Sequence, residues 1–376
     1  LLDRLDLLHQ EGNPAADRGA VRQVRRLADR LLRLARQLPR GPEPTQAEEL
    51  IPALLVAGYP DRVGRRQTPT SDRANLVGGL GVGIGTDSAL QVTPGRPRQP
   101  LLVAPVLQGL RGRAGSRVFV RLGAEINEAD LVRVHGDTAI LEEVQLRYHD
   151  GRQQVVAARV RRFGSLTLDY QEGVEAEAAA VADCLARALV PEAAAIIEAD
   201  EEAQAFLQRW RWLAGQPEAA LPPPTEVDLV ETITALCQGE RARAPVLTKE
   251  KVGWLRSRLT PDQQQRLDYW APARLPVPSG NRLVVDYSGE RPVLAVRVQE
   301  CFGSDRTPQL AEGRLPVLLH LLAPNFRPVQ VTDDLAGFWQ RTYPQVRKDL
   351  RGRYPKHAWP EDPLAAKPEA KGGRSG

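Results

Sequence analysis

Methionine is absent from all 376 residues, the first position included. A complete translation product starts with one, so the sequence is expected to be a fragment whose N-terminal part lies elsewhere. Cysteine is almost absent too. Cys184, Cys237 and Cys301 stand far apart, which excludes zinc-type pair spacing and suits inert thiols in a reducing cytoplasm. No run of about 18 apolar residues occurs, which excludes an obvious membrane helix. Charges from Asp3 and Arg4 onward exclude a secretory signal. The histidines His9, His135, His149, His320 and His357 form no H-E-x-x-H and no pair with cysteine at metal spacing. No G-x-S-x-G elbow is present. The glycine run at residues 78–85 lacks both the P-loop lysine and the third glycine of G-x-G-x-x-G, so turns between strands are expected there. No self-contained active site emerges, and no cofactor is expected to bind this chain by itself.

Lysine is also scarce, contributing six of the 51 basic residues. Arginine supplies the rest, and its planar fork suits phosphates and stacks on bases. The net charge of +4 says less than the clustering of these arginines. A chain of this length allows two to four compact units.

Along the chain the periodicity changes several times. Val24, Leu27, Leu31, Leu34 and Leu38 alternate spacings of three and four, which predicts an amphipathic helix. Arg22, Arg25, Arg26, Arg30, Arg33 and Arg36 occupy its other faces, either as a solvated surface or beside a nucleic-acid path. A short helix is predicted over 47–57. From residue 101 to 170 the pattern becomes that of strands, with a short helix over 125–134. Residues 141–149 are expected to pair with 153–163 across a two-residue Asp150-Gly151 turn. Several strands in so short a stretch suggest a small β-barrel or half-barrel. Arg159 and Arg161 fall on one face of that hairpin and Arg162 on the other. Both single-stranded nucleic acid and solvated strand edges use such arginines. Residues 175–212 are alanine-rich and helical, and a proline run at 222–224 marks a linker. Helices resume over 225–237 and 248–270, with a new start at Thr260-Pro261. Strand pairs are predicted for 283–287 with 293–298, and for 317–322 with 329–331. A helix follows Thr332 and Asp333.

The last of these segments is the richest in chemistry. Between Arg341 and His357 stand six basic residues and one acid, Asp349. Phe338, Trp339, Tyr343, Tyr354 and Trp359 are interleaved with them. Cations neutralise phosphates, and aromatic faces stack on unpaired bases at roughly 1–3 kcal/mol per base. Phe338 and Trp339 also fit a buried helical face. Arg341, Arg347, Lys348, Arg351, Arg353 and Lys356 are therefore the candidate contacts, joined by Arg159, Arg161 and Arg162 of the hairpin. Pro344 is expected to kink or restart the helix.

The run Gln-Val-Thr-Asp-Asp-Leu-Ala-Gly-Phe-Trp at 330–339, followed by Leu-Arg-Gly-Arg-Tyr-Pro-Lys-His-Ala-Trp-Pro-Glu-Asp-Pro at 350–363, resembles the C-terminal signature of HrpB-type bacterial DEAH-box RNA helicases. The runs 277–282, 286–289 and 294–303 are similar to the same family, as are 59–63, 102–104 and 161–166. The glycine run 78–85 departs from the family's pattern. The resemblance implies an accessory region behind two RecA-like motor domains: the end of a helical bundle, an OB-like barrel, helices and a family-specific C-terminal domain. The expected fold is thus α+β multidomain. Its parts are a helical segment (1–45), an OB-like antiparallel β-barrel (46–172), a helical region (173–271), an α+β C-terminal domain (272–363) and a disordered tail (364–376). The implied role is gripping single-stranded RNA for a cytoplasmic motor that uses ATP and Mg. The implied partners are RNA and the motor domains of the same protein, with no membrane. The alternative is a scaffold that packs on the motor without touching RNA.

Overall fold

The computed structural model describes residues 17–39, 47–86, 88–92, 98–112 and 115–369. They fall into two compact units. One holds the residues before 146 together with Val156–Glu175, and the other holds Leu146–Val155 with the residues from Ala176 on.

In the first unit, helix α1 (Arg18–Ala35) forms as its periodicity predicts, with Asp17 accepting from the amides of Gly19 and Ala20. None of its residues is buried; Leu27, Leu31 and Leu34 stay more than half exposed. The short helix α2 (Ile51–Gly58) follows one 3₁₀ turn. Strands β1 (Val63–Arg66), β2 (Arg73–Leu76), β3 (Gly81–Ile84), β4 (Leu101–Gly112) and β5 (Gly115–Ile126) close into a barrel of order β1-β2-β3-β5-β4. All its pairs are antiparallel except β3 with β5. Val82, Ile84, Leu102, Ala104 and Val120 fill one part of its interior. Gly64 lets β2 come close, because a Cβ there would meet the Leu76 side chain. The turn from β2 to β3 uses Gly78 (φ 88°) and Gly79 (φ 84°), both in the left-handed region that glycine tolerates. The predicted short helix is α3 (Glu128–His135), closed by a reciprocal Asn127–Asp130 capping box.

Strands β6 (Ile140–His149), β7 (Gln154–Phe163) and β8 (Leu166–Glu172) form a separate three-stranded sheet. The β6–β7 hairpin stands where the sequence puts it, but its turn is longer than the two-residue expectation. Arg152 and Gln153 donate to the carbonyls of His149 and Asp150, and Gln153 (φ 51°), not Gly151, takes the left-handed conformation. The turn therefore spans four residues and shortens the second strand by one.

The second unit is built on helices α4 (Ala178–Leu189), α5 (Ala193–Glu198), α6 (Glu201–Ala214), α7 (Glu226–Leu236), α8 (Arg243–Thr248), α9 (Val252–Arg256) and α10 (Pro261–Trp270). Ala203, Phe206, Leu207, Trp210 and Leu213 form the buried stripe of α6 at spacings of three, one, three and three. Fully burying a large apolar side chain stabilises by roughly 1.5–3 kcal/mol, and this stripe supplies several. The chain then enters a sheet of order β15-β14-β11-β10-β9, made of β9 (Arg274–Pro276), β10 (Arg282–Asp286), β11 (Val293–Arg297), β14 (Leu318–Leu322) and β15 (Pro328–Thr332). The small pair β12 (Gln309–Leu310) and β13 (Leu315–Pro316) lies on the crossover between β11 and β14, which are parallel. The expectation of a disordered tail from residue 364 meets hydrogen bonds as far as Glu369, whose amide donates to the Gln299 carbonyl. Residues 370–376 and 1–16 lie outside the described residues.

Candidate nucleic-acid interface

The run after β15 folds as an interrupted helix. Asp334 opens α11 (Leu335–Gly337) by accepting from the Gly337 amide at 2.7 Å. A π-helical turn, Phe338–Thr342, leads into α12 (Tyr343–Arg353). Pro344 has no N–H to donate to the Gln340 carbonyl, so the ladder changes register where the sequence places the proline. A Cβ at Gly337 would collide with the Asp334 carboxylate and the Arg341 guanidinium, which pair at 2.7 Å across it.

Four of the five aromatics of this run are structural, and the fifth, Tyr354, is half-buried. Phe338, Trp339, Tyr343 and Trp359 are buried, and Phe302 packs among the first three. Their polar atoms are used internally. Trp339 Nε1 donates to the Ser304 carbonyl at 2.8 Å, the Tyr343 hydroxyl to the Pro360 carbonyl at 2.9 Å, and Trp359 Nε1 to the Tyr354 carbonyl at 2.9 Å. These rings pin the 354–363 segment back against α12 and are not offered to bases.

The nine candidate cations divide. Arg341 is tied to Asp334, whose carboxyl is held below the usual range by the Gly337 amide and by that guanidinium. Arg347 donates to the Trp359 carbonyl at 2.8 Å and pairs with Glu361 at 3.0 Å. On the hairpin, Arg159 faces Glu142 at 3.3 Å. Arg161 forks onto Glu128 (2.7 Å) and reaches Glu142 (3.7 Å), while Arg162 faces Glu143 at 3.5 Å. Arg159 and Arg161 thus share Glu142 while Arg162 turns to its neighbour, as strand alternation requires. Lys348, Arg351, Arg353 and Lys356 differ from these five. All are exposed, and none has a side-chain hydrogen bond or ion pair with another described residue. Lys348 and Arg351 are three residues apart and neighbours on the outer side of α12, opposite buried Tyr343 and Leu350; Arg353 and Lys356 follow at its C-terminal end. The two groups of candidates, hairpin and C-terminal, lie in different units.

Sequence reasoning missed the centre of the 277–303 motifs. Glu300, 4% exposed, accepts from Arg297 Nε (2.9 Å), the Ser279 hydroxyl (3.1 Å) and Asn281 Nδ2 (2.8 Å). A buried acid flanked by a serine, an asparagine and an arginine in two separate runs was the available signal. The terminal strap, as far as Glu369, lies over this site: Arg297 Nη2 donates to the Glu369 carbonyl, and the Gly303 amide donates to the Pro363 carbonyl.

No group of three His, Cys, Asp or Glu side chains among the described residues could hold a metal ion. No helix among the described residues is long and apolar enough to cross a membrane.

The HrpB_C family, described as "ATP-dependent helicase C-terminal", matches residues 233–363. This chain is similar to the C-terminal region of HrpB-type helicases. The ATP-dependent RNA helicase HrpB of Escherichia coli (strain K12) is 30% identical over 325 residues, covering 85% of this chain and 39% of that protein. The crystal structure of the E. coli DExH-box NTPase HrpB superposes with a TM-score of 0.50 and 28% identity over 95% of this chain and 43% of that one. This chain therefore spans about two fifths of the length of these relatives, and the matched 233–363 region contains the Glu300 network, the aromatic cluster and the four cations without a partner among the described residues.

Proposed function

We propose that this chain is the accessory nucleic-acid-binding region of an ATP-dependent RNA helicase, gripping single-stranded RNA for motor domains that carry the ATP and Mg. The observation that carries the reading is the set Lys348, Arg351, Arg353 and Lys356, exposed and without an acidic partner among the described residues. A free surface cation binds phosphate without first breaking an internal ion pair, whereas Arg347 and Arg161 must leave carboxylates to do so. Arg159, Arg161, Arg162, Arg341 and Arg347 are accordingly secondary contacts. The strand order of the barrel, with its one parallel β3–β5 pair, supports reading it as OB-like, a fold used for oligonucleotides.

The scaffold alternative has its own support. Five of the nine candidate cations are tied to internal acids, and four of the five aromatics are committed to packing. One experiment separates the two readings. Glutamate at 348, 351, 353 and 356 together lowers the affinity for a single-stranded RNA by at least about tenfold if they grip phosphates, with the thermal unfolding curve retained. Unchanged affinity supports the scaffold.

A further inference from the structure

The 354–363 segment that folds back on α12 carries a charge that its packing does not use. Its backbone is held on both sides of residue 361. The Trp359 carbonyl accepts from Arg347 Nε at 2.8 Å, the Pro360 carbonyl from the Tyr343 hydroxyl at 2.9 Å, and the Pro363 carbonyl from the Gly303 amide at 2.9 Å. Trp359 and Pro363 are buried. Between these anchors the Glu361 carboxylate turns back to Arg347 and accepts from its Nη2 at 3.0 Å. The acid side chain is 86% exposed and the guanidinium side chain 23%. One hydrogen bond joins them, not the two parallel bonds of an arginine–carboxylate fork. A pair so open to water adds little to stability.

The neighbours of Arg347 give that charge another meaning. Arg351 stands four residues on, one helical turn or about 5.4 Å along the axis, and Lys348 lies three residues before Arg351. The three cations share one flank of α12, clear of the side that buries Tyr343 and Leu350. Lys348 and Arg351 have no partner among the described residues, whereas Arg347 has Glu361. Asp349, the acid within α12, faces elsewhere and accepts from Gln345 at 3.1 Å.

We propose that Glu361 is an internal stand-in for phosphate. It occupies the outer edge of Arg347 and keeps this cation out of the set formed by Lys348, Arg351, Arg353 and Lys356, so that nucleic acid gains Arg347 only by displacing the acid. The inference rests on the RNA-gripping reading above and adds an autoinhibitory contact to it. A carboxylate and a phosphodiester present a guanidinium with the same feature, two oxygens sharing one negative charge, and arginine forks onto either. The exchange breaks only an exposed ion pair, while Nε stays on the Trp359 carbonyl and aims the terminal nitrogens outward. An acid kept for the fold is expected to be buried and multiply bonded, as Glu300 is with its three donors. Glu361 is neither.

The test uses the whole chain with a fluorescent uridine decamer, read by anisotropy at several salt concentrations. Glu361→Gln is expected to bind about fivefold more tightly near 0.1 M salt and to steepen the salt slope by roughly 0.7, the contribution of one more phosphate contact. In an Arg347→Gln background the same substitution is expected to change affinity by no more than about twofold, because the cation it would release is gone. The thermal unfolding curve of Glu361→Gln stays in place. An unchanged affinity and slope for Glu361→Gln overturns the proposal. So does an equal gain in the Arg347→Gln background, which would make Glu361 a general repulsive charge and not a lock on one cation. Both results leave the four-cation reading standing as long as glutamate at 348, 351, 353 and 356 still abolishes tight binding. If that fourfold variant binds as the unaltered chain does, the reading and the inference fall together.

Discussion

Glu300 holds together two runs of chain that are twenty residues apart, and its removal leaves the Arg297 guanidinium buried without an acid. Breaking a buried pair from one side costs about 3–5 kcal/mol. Glu300→Ala is therefore expected to lower the urea midpoint of the second unit, followed by tryptophan fluorescence, by an amount of that order; a shift below about 1 kcal/mol would contradict the network's role. The thiols give a second prediction at this scale. Burial pushes Cys237 up to about 11 and Cys301 up to about 12, whereas Cys184 is partly exposed. Alkylation at pH 8 is expected at Cys184, with Cys237 and Cys301 protected until the chain unfolds; mass spectrometry of the alkylated peptides reads this. Single residues were the hardest part of the molecule to foresee. The arginines of the hairpin are visible in the sequence, and so are Glu142 and Glu143. Pairing them needs the strand register, which an uncertain turn length leaves open. The freedom of Lys348, Arg351, Arg353 and Lys356 depends on which acids fold back toward α12, and Glu361 chooses Arg347.

At the scale of elements, local chemistry settles more. Thr260 caps α10 and forms a reciprocal box with Gln263. Thr260→Ala is expected to cost about 0.5–2 kcal/mol in chemical denaturation, with a neutral result counting against the cap. Helix α1 offers a contrast. It has a clean apolar stripe, yet no residue is buried, whereas α6 buries half of its length. Helices without tertiary burial open easily. Amides of α1 are expected to exchange with deuterium orders of magnitude faster than those of α6, and equal protection would show that its stripe is covered. Helix α1 was legible from periodicity, α6 from the alanine-rich helical stretch 175–212, and the β10–β11 and β14–β15 hairpins from local strand patterns, since each depends on contacts a few residues away; the short strands β1, β2 and β3 precede the stretch read as strands, and β3 (Gly81–Ile84) occupies half of the glycine run expected to be turns. The parallel pairs β3–β5 and β11–β14 were not legible. They join strands separated by a long crossover, and no local signal encodes that pairing. The π-turn was legible only as a kink at Pro344.

At the scale of the whole molecule, acid sensitivity follows from five carboxyls held below the usual range. Glu192 is held by Arg243, Asp200 by the Ala203 amide and Lys251, Asp268 by Arg256, Asp333 by Arg291, and Asp334 by the Gly337 amide and Arg341. A lowered value in the folded state means that the stabilisation is complete above the unfolded value, about 3.9 for the aspartates, and is lost as pH falls through the folded value. Thermal midpoints are therefore expected to drop on acidification below about pH 4; a midpoint rising in that range would contradict the sign. Function belongs to this scale as well, because the HrpB-type similarity extends over most of the chain while its unpaired C-terminal cations lie within residues 348–356. The most direct measurement is the salt dependence of single-stranded RNA binding by the unaltered chain and by a variant with alanine at 348, 351, 353 and 356. Each phosphate neutralised on a single strand contributes roughly −0.7 to the slope of log affinity against log salt. Four contacts predict a difference of about 3 between the two slopes. Equal slopes would contradict the phosphate-gripping role of these four side chains.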